Sequence, residues 1–189
     1  MSKLFGIFLV LSLSFAASIG RADTGNIVED TNARLDVLFA ELKASDTEDF
    51  YEIEREIIDI WTHSGSAAMD MLLERGQLAI AGQDYPKAIE HLSALIDHAP
   101  NFAEAWNARA TAYYFIDEYA LSISDIRQAL ILNPRHFGAL NGLGLIFEEL
   151  GNPDLALKAY LMVQEIHPYI ENVNDATEAL GLEVGGVEL

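Results

Sequence analysis

The feature that most constrains this chain is a repeat with a period of 34 residues. Three of its five prolines, Pro100, Pro134 and Pro168, are separated by that step. The same spacing relates small residues (Gly76, Ala110, Gly144; Ala88, Ser122, Ala156), tyrosines (Tyr51, Tyr85, Tyr119) and large apolar residues (Leu72, Trp106, Leu140; Leu92, Ile126, Tyr160). Because these independent sets share one register, the chain is predicted to fold as a short array of similar units.

Each unit is predicted to be a pair of helices. In residues 103–116 and 118–132, apolar residues recur at spacings of three and four, as in an amphipathic helix. A polar turn, such as Asp117-Glu118, separates the two stretches. The repeated proline follows the second stretch and ends the helix, because proline lacks the N–H and disfavours a helical residue before it. No segment alternates apolar and polar residues for long enough to predict a strand, so the expected fold class is all-α.

These residues closely resemble the tetratricopeptide repeat (TPR) family, whose 34-residue pattern is helix, turn, helix. The repeats are 69–102, 103–136 and 137–170, and the middle one fits best through Trp106, Ala110, Tyr113, Tyr119, Ala129 and Pro134. The resemblance implies a TPR-like helical solenoid. Arg75 and Arg109 stand where the family usually has Leu, so those helix faces are expected to be partly polar.

The segments around the repeats are predicted from the same register. Residues 31–68 form a degenerate N-terminal capping hairpin, since terminal repeats of a solenoid are usually atypical. Residues 171–181 form a helix that caps the last repeat and stops at Gly181, and 182–189 form a flexible tail. Residues 23–30 are expected to be a disordered linker.

The N-terminus is predicted to be a cleaved secretory signal peptide, residues 1–22. Lys3 precedes an apolar run and then small residues, with cleavage after Ala22 or, alternatively, after Ser18. An uncleaved membrane anchor and a buried helix are the other interpretations, although the apolar run is at the short limit for spanning a bilayer. The mature protein is expected in the periplasm of a bacterium.

Composition restricts the class of partner. The 189 residues include 30 acidic and 11 basic ones, a formal net charge of −19. Nucleic acid and anionic membrane both require a basic face, so neither is an expected partner. The absence of cysteine excludes disulfides, thiolate metal sites and cysteine nucleophiles.

Enzyme signatures are also absent from the sequence. It contains no Gly-rich phosphate loop, no Gly-x-Ser-x-Gly and no His-Glu-x-x-His. His98, His136 and His167 fall near the ends of second helices, where surface or capping roles are expected. The chain is therefore predicted to be non-catalytic, with no cofactor and no metal.

The resemblance implies a binding groove on the concave face, lined by the first helix of each repeat. The candidate peptide-binding residues are Gln77, Glu104, Asn107, Thr111, Tyr114, Asn141, Leu145 and Glu148. Asn107 and Asn141 occupy the same repeat position, and amides aligned in this way can hydrogen-bond an extended peptide backbone. Tyr114 and its neighbour Phe115 supply apolar area for an anchor residue.

The charge of the groove positions narrows the partner further. They include Asp70, Glu104, Glu148 and Glu149 and no Lys or Arg, so the Lys/Arg/Asn clamp of chaperone-type TPR domains is absent. A neutral or basic peptide or helix is the expected ligand. The leading hypothesis is a protein-binding adaptor of the cell envelope. The alternatives are a self-associating component or cap of a larger envelope assembly and, less favoured, an enzyme with an acidic groove.

Overall fold

The computed structural model describes residues 22–44 and 50–186, and every regular element within these ranges is an α-helix. The helices are α1 (Ala22–Leu42), α2 (Phe50–Thr62), α3 (Ala67–Ala81), α4 (Tyr85–His98), α5 (Ala103–Tyr114), α6 (Tyr119–Leu132), α7 (Phe137–Glu149), α8 (Pro153–Ile166) and α9 (Glu171–Gly186). The pairs α3–α4, α5–α6 and α7–α8 are the three predicted repeats. The all-α solenoid is confirmed.

The small residues of the repeat lie where the two helices of a pair cross. Gly76 of α3 packs directly on Leu92 of α4, and Gly144 of α7 on Tyr160 of α8. In the middle pair the Ser122 hydroxyl donates to the Ala110 carbonyl at 2.8 Å. A larger side chain at these crossings would hold the two backbones apart, which explains the spacing of small residues seen in the sequence.

The turns inside the three pairs share one backbone conformation. Gln83, Asp117 and Gly151, again 34 residues apart, have φ of 60°, 61° and 66°. Each left-handed residue ends its helix and lets the next N–H reach back into the last turn, as Glu118 does to the Tyr113 carbonyl at 3.0 Å. Glycine and, less strongly, aspartate favour this conformation but glutamine does not, so the backbone repeats more strictly than the sequence.

The N-terminal hairpin, α1 and α2, packs on the turns between the repeats. Its buried face, from Leu38 and Leu42 of α1 to Ile57 of α2, joins one apolar cluster with Phe137 of the third repeat and Val173 of α9. The apolar cluster of the first repeat includes no described residue of α1 or α2. The hairpin therefore crosses one edge of the solenoid, although its place in the sequence led us to expect it at the start of the first repeat.

Aromatic and ionic contacts hold the hairpin on this edge. The Trp61 indole stacks on the His136 ring with centroids 4.5 Å apart, and Phe50 stacks on Tyr169 at 5.0 Å. Arg135 donates to Asp36 at 2.7 Å and lies 4.4 Å from the centroid of the Phe39 ring. These partners lie in the loops before α7 and α9, so docking depends on the inter-repeat turns.

Two of the five histidines, for which surface or capping roles were expected, are buried beneath the hairpin. His136 caps α7: its Nδ1 accepts the Ala139 N–H at 3.2 Å, so Nε2 carries the proton and donates to Glu104 at 2.9 Å. His167 is fully buried, and its Nε2 lies 3.8 Å from Glu54 with no hydrogen-bond partner among the described residues. His136 therefore has a capping role, at the start of α7, and neither histidine is at the surface because the hairpin covers both.

Burial of His167 predicts that acid weakens the fold. Burial lowers the pKa of His167 to about 4, against an ordinary value of 6.5. Between these values the unfolded chain takes up a proton that the folded chain does not, so stability falls as the pH drops through this window. We expect the wild-type melting temperature to fall by several degrees more than that of His167→Phe between about pH 7 and about pH 5.

Comparing the wild type with His167→Phe separates the effect of His167 from that of the neighbouring Glu54. Burial raises the pKa of Glu54, which gives the opposite slope in the acid range and is present in both proteins. The Phe substitution replaces the imidazole by a phenyl ring in a site already lined by Phe137 and Phe50. Parallel melting curves of the two proteins across the pH range would show that His167 is not the titrating group.

The first and last helices, α1 and α9, are longer than the sequence predicted. Helix α1 begins at Ala22, so residues 23–30 are helical and not a disordered linker. Helix α9 continues through Gly181 to Gly186, five residues beyond the predicted stop. A glycine inside a helix costs only about 1 kcal/mol, which packing of Leu180 and Val173 against the third repeat can offset. The predicted signal segment up to residue 21 and residues 187–189 lie outside the described residues.

Candidate functional site: the groove between the first helices of repeats two and three

The groove runs between α5 and α7, the first helices of the second and third repeats. It contains a cavity of about 180 Å³. The cavity is lined by Asn107, Ala110, Thr111, Tyr114, Phe115, Ser122, Ile126, Gly138, Asn141, Gly142, Leu145 and Ile146. Sites for drug-sized molecules hold about 300–1,000 Å³, so this space fits a single amino-acid side chain better than a cofactor.

The side chains of the two groove asparagines, Asn107 and Asn141, differ in their hydrogen bonds. The Asn107 amide donates to both oxygens of Glu104 at 3.4 Å, one turn earlier on α5. The Asn141 Oδ1 is buried and has no hydrogen-bond partner among the described residues. A buried acceptor without a donor is costly, so a ligand that brings an N–H to Asn141 would be stabilised there.

Aromatic side chains form one wall of the groove. Tyr114 packs edge-on against Phe115, with centroids 5.5 Å apart, and Phe115 stacks on Tyr85 of the first repeat at 5.2 Å. Phe115 is 51% exposed and Leu145 is 36% exposed on the opposite wall. The groove therefore offers apolar area that is open to a partner and already supported from behind.

Carboxylates give the groove a negative rim. The pKa of the Tyr114 hydroxyl is raised by burial first and then by Glu149, Glu148 and Asp117. Glu148 also accepts a hydrogen bond from the Tyr160 hydroxyl, which fixes its position at the end of α7. A cation entering beside Tyr114 would meet several acids at short range.

Five of the eight candidate residues meet at the cavity, and three do not. Asn107, Thr111, Tyr114, Asn141 and Leu145 line it together. Gln77 is exposed on α3 outside the cavity, and Glu148 lies at its rim. Glu104 is paired with His136, and its side chain is only 12% exposed because the hairpin covers that end of α5.

Sequence reasoning missed the role of Gly142. Since Gly142 has no Cβ, the Ile126 side chain of the repeat before it forms part of the cavity floor, and an added Cβ would lie 3.6 Å from Ile126 Cδ1. A glycine directly after the groove asparagine is the only signal the sequence offers. By itself it predicts a small residue in a helix and not a cavity.

Two wider crevices of the described chain are less suited to a ligand. One, of about 410 Å³, lies between α1 and α2, where Arg34 is paired with Glu56 at 2.6 Å. Another, of about 480 Å³, lies between the hairpin and the turns and includes the Glu104–His136 pair. Their charged groups already have partners. Within residues 22–44 and 50–186 no cluster of metal-ligating side chains is present, and no helix is long and apolar enough to cross a bilayer.

Helical pairs of 34 residues with an open groove on their first helices define a class of helical repeat protein, and sequence comparison identifies the family. The tetratricopeptide repeat profile matches residues 73–123 and 108–169. A TPR repeat-containing protein of Rhizobium etli is 35% identical over 98% of this chain and 94% of its own length. The chain therefore belongs to the tetratricopeptide repeat family.

Solved structures share the fold at lower sequence identity. The first TPR domain of Spaghetti (RPAP3), bound to the HSP90 peptide SRMEEVD, has a TM-score of 0.59 at 23% identity, covering 62% of this chain and 93% of that domain. MamA has a TM-score of 0.58 at 21% identity and covers 89% of this chain and 86% of its own. The similarity to MamA extends beyond the three repeats.

Proposed function

We propose that this chain is a non-catalytic adaptor of the bacterial cell envelope that binds a neutral or basic segment of a partner protein in the groove between α5 and α7. The observation that carries the proposal is the buried Asn141 Oδ1, which lies at the edge of an open apolar cavity and has no hydrogen-bond partner among the described residues. A peptide backbone N–H is the donor that any partner sequence can supply there. One apolar side chain beside Tyr114 and Leu145 would supply most of the binding energy.

The negative rim supports a basic segment over an acidic one. The domain of Spaghetti (RPAP3) holds the acidic peptide SRMEEVD. In the present groove Glu149, Glu148 and Asp117 are near enough to add to the effect of burial in raising the pKa of the Tyr114 hydroxyl, so the same peptide would bring like charges together. Lys or Arg flanking the apolar anchor would instead pair with this rim.

The location in the envelope is part of the proposal. It is supported by the sequence of the first 22 residues, in which Lys3 precedes an apolar run that ends in small residues. Mass spectrometry of the protein purified from its native cells, with osmotic release of the periplasm, tests it. A mature N-terminus after Ala22 or Ser18 in the released fraction is expected, and an intact Met1 in the cytoplasmic fraction would contradict it.

The groove proposal predicts a large loss of binding in the double variant Asn107→Ala/Tyr114→Ala. Short peptides carrying one apolar residue between lysines or arginines are screened on an array, and the best is titrated by fluorescence anisotropy. Because truncating a buried interface aromatic commonly costs about 2 kcal/mol, we expect affinity to fall by about thirtyfold or more. SRMEEVD should bind far more weakly than the basic peptide.

Met162→Ala is the matched control, since Met162 is 50% exposed on α8 and does not line the cavity. It should bind the peptide as the wild type does, and circular dichroism should show that all three proteins are folded at the temperature of the titration. Equal affinity of the wild type and the double variant would remove the groove from the proposal. Stronger binding of SRMEEVD than of basic peptides would refute the preference for positive charge.

A further inference from the structure

Helix α3 has an exposed face that combines large apolar and charged residues. Met71 is 50% exposed and Leu78 is 64% exposed. They are two helical turns apart, about 10 Å, on one side of the helix. Glu74 and Arg75 lie between them and are also exposed. We call these four residues the α3 face.

The same positions are buried in the later repeats. Thirty-four residues after Met71 and Leu78, Ala105 and Ala112 are 0% exposed in the cluster shared with the first repeat. One period further on, Ala139 and Ile146 are also 0% exposed and pack with residues of the second repeat. The face is therefore the one with which each repeat packs on its predecessor.

In the first repeat this packing face has no described predecessor. The hairpin α1–α2, which precedes α3 in the chain, lies on the turns beside the third repeat instead. The other end of the solenoid is covered, because Val173 and Leu180 of α9 are buried against the third repeat. The solenoid is thus capped at its C-terminal end, and no element of residues 22–44 and 50–186 covers its other end at α3.

We propose that the α3 face binds the α3 face of a second copy of this chain, antiparallel and about a two-fold axis. The face is symmetric about the midpoint between residues 74 and 75. In such a pair Met71 meets Leu78 of the second copy, and Glu74 meets Arg75 of the second copy. The small residue Ala68 meets Ala81 of the second copy, which lets the two helices approach closely. A two-fold interface requires this reciprocity, since each contact occurs twice.

Charge favours a second copy over other occupants. The chain carries 30 acidic and 11 basic residues, so most pairings of two copies would bring acids together. The α3 face has one acid and one base and is neutral, and the antiparallel pairing matches them twice. An acidic or a basic partner protein would satisfy only one of the two charges.

This pairing uses different residues from the proposed peptide groove, which is formed by α5 and α7. The two proposals therefore fail separately. A chain that dimerises without binding peptide would support only the pairing of α3 faces. A chain that binds peptide without dimerising would support only the peptide groove. The pairing also gives a specific surface to the self-associating alternative raised by the sequence.

Sedimentation velocity over a range of concentrations tests the pairing with protein purified from cells that express the full chain. The wild type should shift from monomer to dimer as concentration rises. Leu78→Glu should remain monomeric at concentrations where the wild type is dimeric, because it puts two carboxylates against Met71 and its copy. Its melting temperature at low concentration should match that of the monomeric wild type, since Leu78 is mostly exposed.

Met162→Glu is the matched control, because Met162 is as exposed as Met71 but lies on α8. It should dimerise like the wild type. A wild type that stays monomeric at every soluble concentration would overturn the proposal, as would a Leu78→Glu variant that still dimerises.

Charge reversal tests the antiparallel register. Arg75→Glu places acid against acid twice and should weaken the dimer by about tenfold. The double variant Glu74→Arg/Arg75→Glu exchanges the two charges and restores both pairs, so its dimer should return close to wild-type strength. A double variant as weak as Arg75→Glu would refute the pairing of residue 74 with residue 75.

Discussion

Gly144→Leu is expected to unfold the third repeat. A Cβ on Gly144 would lie 2.7 Å from two atoms of the Tyr160 ring, well inside van der Waals contact. The ring cannot easily move aside, because Tyr160 is 1% exposed and its hydroxyl donates to Glu148. Overpacking of this kind usually costs about 1–3 kcal/mol, and the full Leu side chain at a helix crossing should exceed that range. Urea denaturation followed by circular dichroism measures the loss.

Alanine at two nearby glycines separates overpacking from helix propensity. Gly142 lies on the same helix, and an added Cβ there would meet only Ile126 at an ordinary 3.6 Å. Gly142→Ala should stabilise the protein by up to about 1 kcal/mol, because alanine is the better helix former. Gly144→Ala should destabilise it despite the same gain. A near-native helical signal and melting temperature for Gly144→Leu would refute the packing explanation.

Asp125→Ala is expected to destabilise the middle repeat by about 3 kcal/mol. Asp125 is buried on α6, and both its oxygens accept from Arg109 of α5, at 2.7 and 2.9 Å. Arg109 also donates to Ser93 at 3.0 Å, and its guanidinium lies 5.1 Å from the centroid of the Trp106 ring. Without Asp125 a mostly buried cation would lose its counter-charge. Denaturant unfolding of the single variant measures the cost.

The double variant Arg109→Leu/Asp125→Ala should recover most of this loss. Removing both charges leaves no unpaired ion, and Leu is the residue that the family usually has at the Arg109 position. A double variant as unstable as Asp125→Ala would mean that the lost stability comes from the cavity left on α6 and not from the unpaired charge of Arg109. A double-mutant cycle with Arg109→Leu alone gives the coupling between the two residues.

The repeat register was predictable because it follows from covalent spacing. The helix pairs and the prolines that end them obey local rules of helix formation, which act within a few residues and leave a visible pattern. The closing helix after Pro168 was predictable for the same reason. The five groove residues that meet at the cavity followed from their shared repeat positions and not from any property of Asn107 or Tyr114 alone.

Other features depended on contacts between distant parts of the chain. Gln83 adopts the left-handed conformation that the turn of its helix pair requires, although glutamine rarely adopts it. Arg109 was expected to make a helix face partly polar. In the structure it instead pairs inside the fold with the buried Asp125, 16 residues later. The covered side of Glu104 and the burial of His167 both result from the position of the hairpin.

The sequence by itself determined the all-α repeat architecture, the residues at the helix crossings and the acidic character of the groove rim. These depend on periodicity and composition, which the chain carries in its order of residues. Only the tertiary structure decided where the N-terminal hairpin docks. Its apolar stripe from Leu38 to Ile57 could pack on any apolar surface, and the stacking of Trp61 on His136 and of Phe50 on Tyr169 selects the turn edge. Within the described part of the chain that choice leaves the α3 face uncovered, because one hairpin can bury only one of the two surfaces.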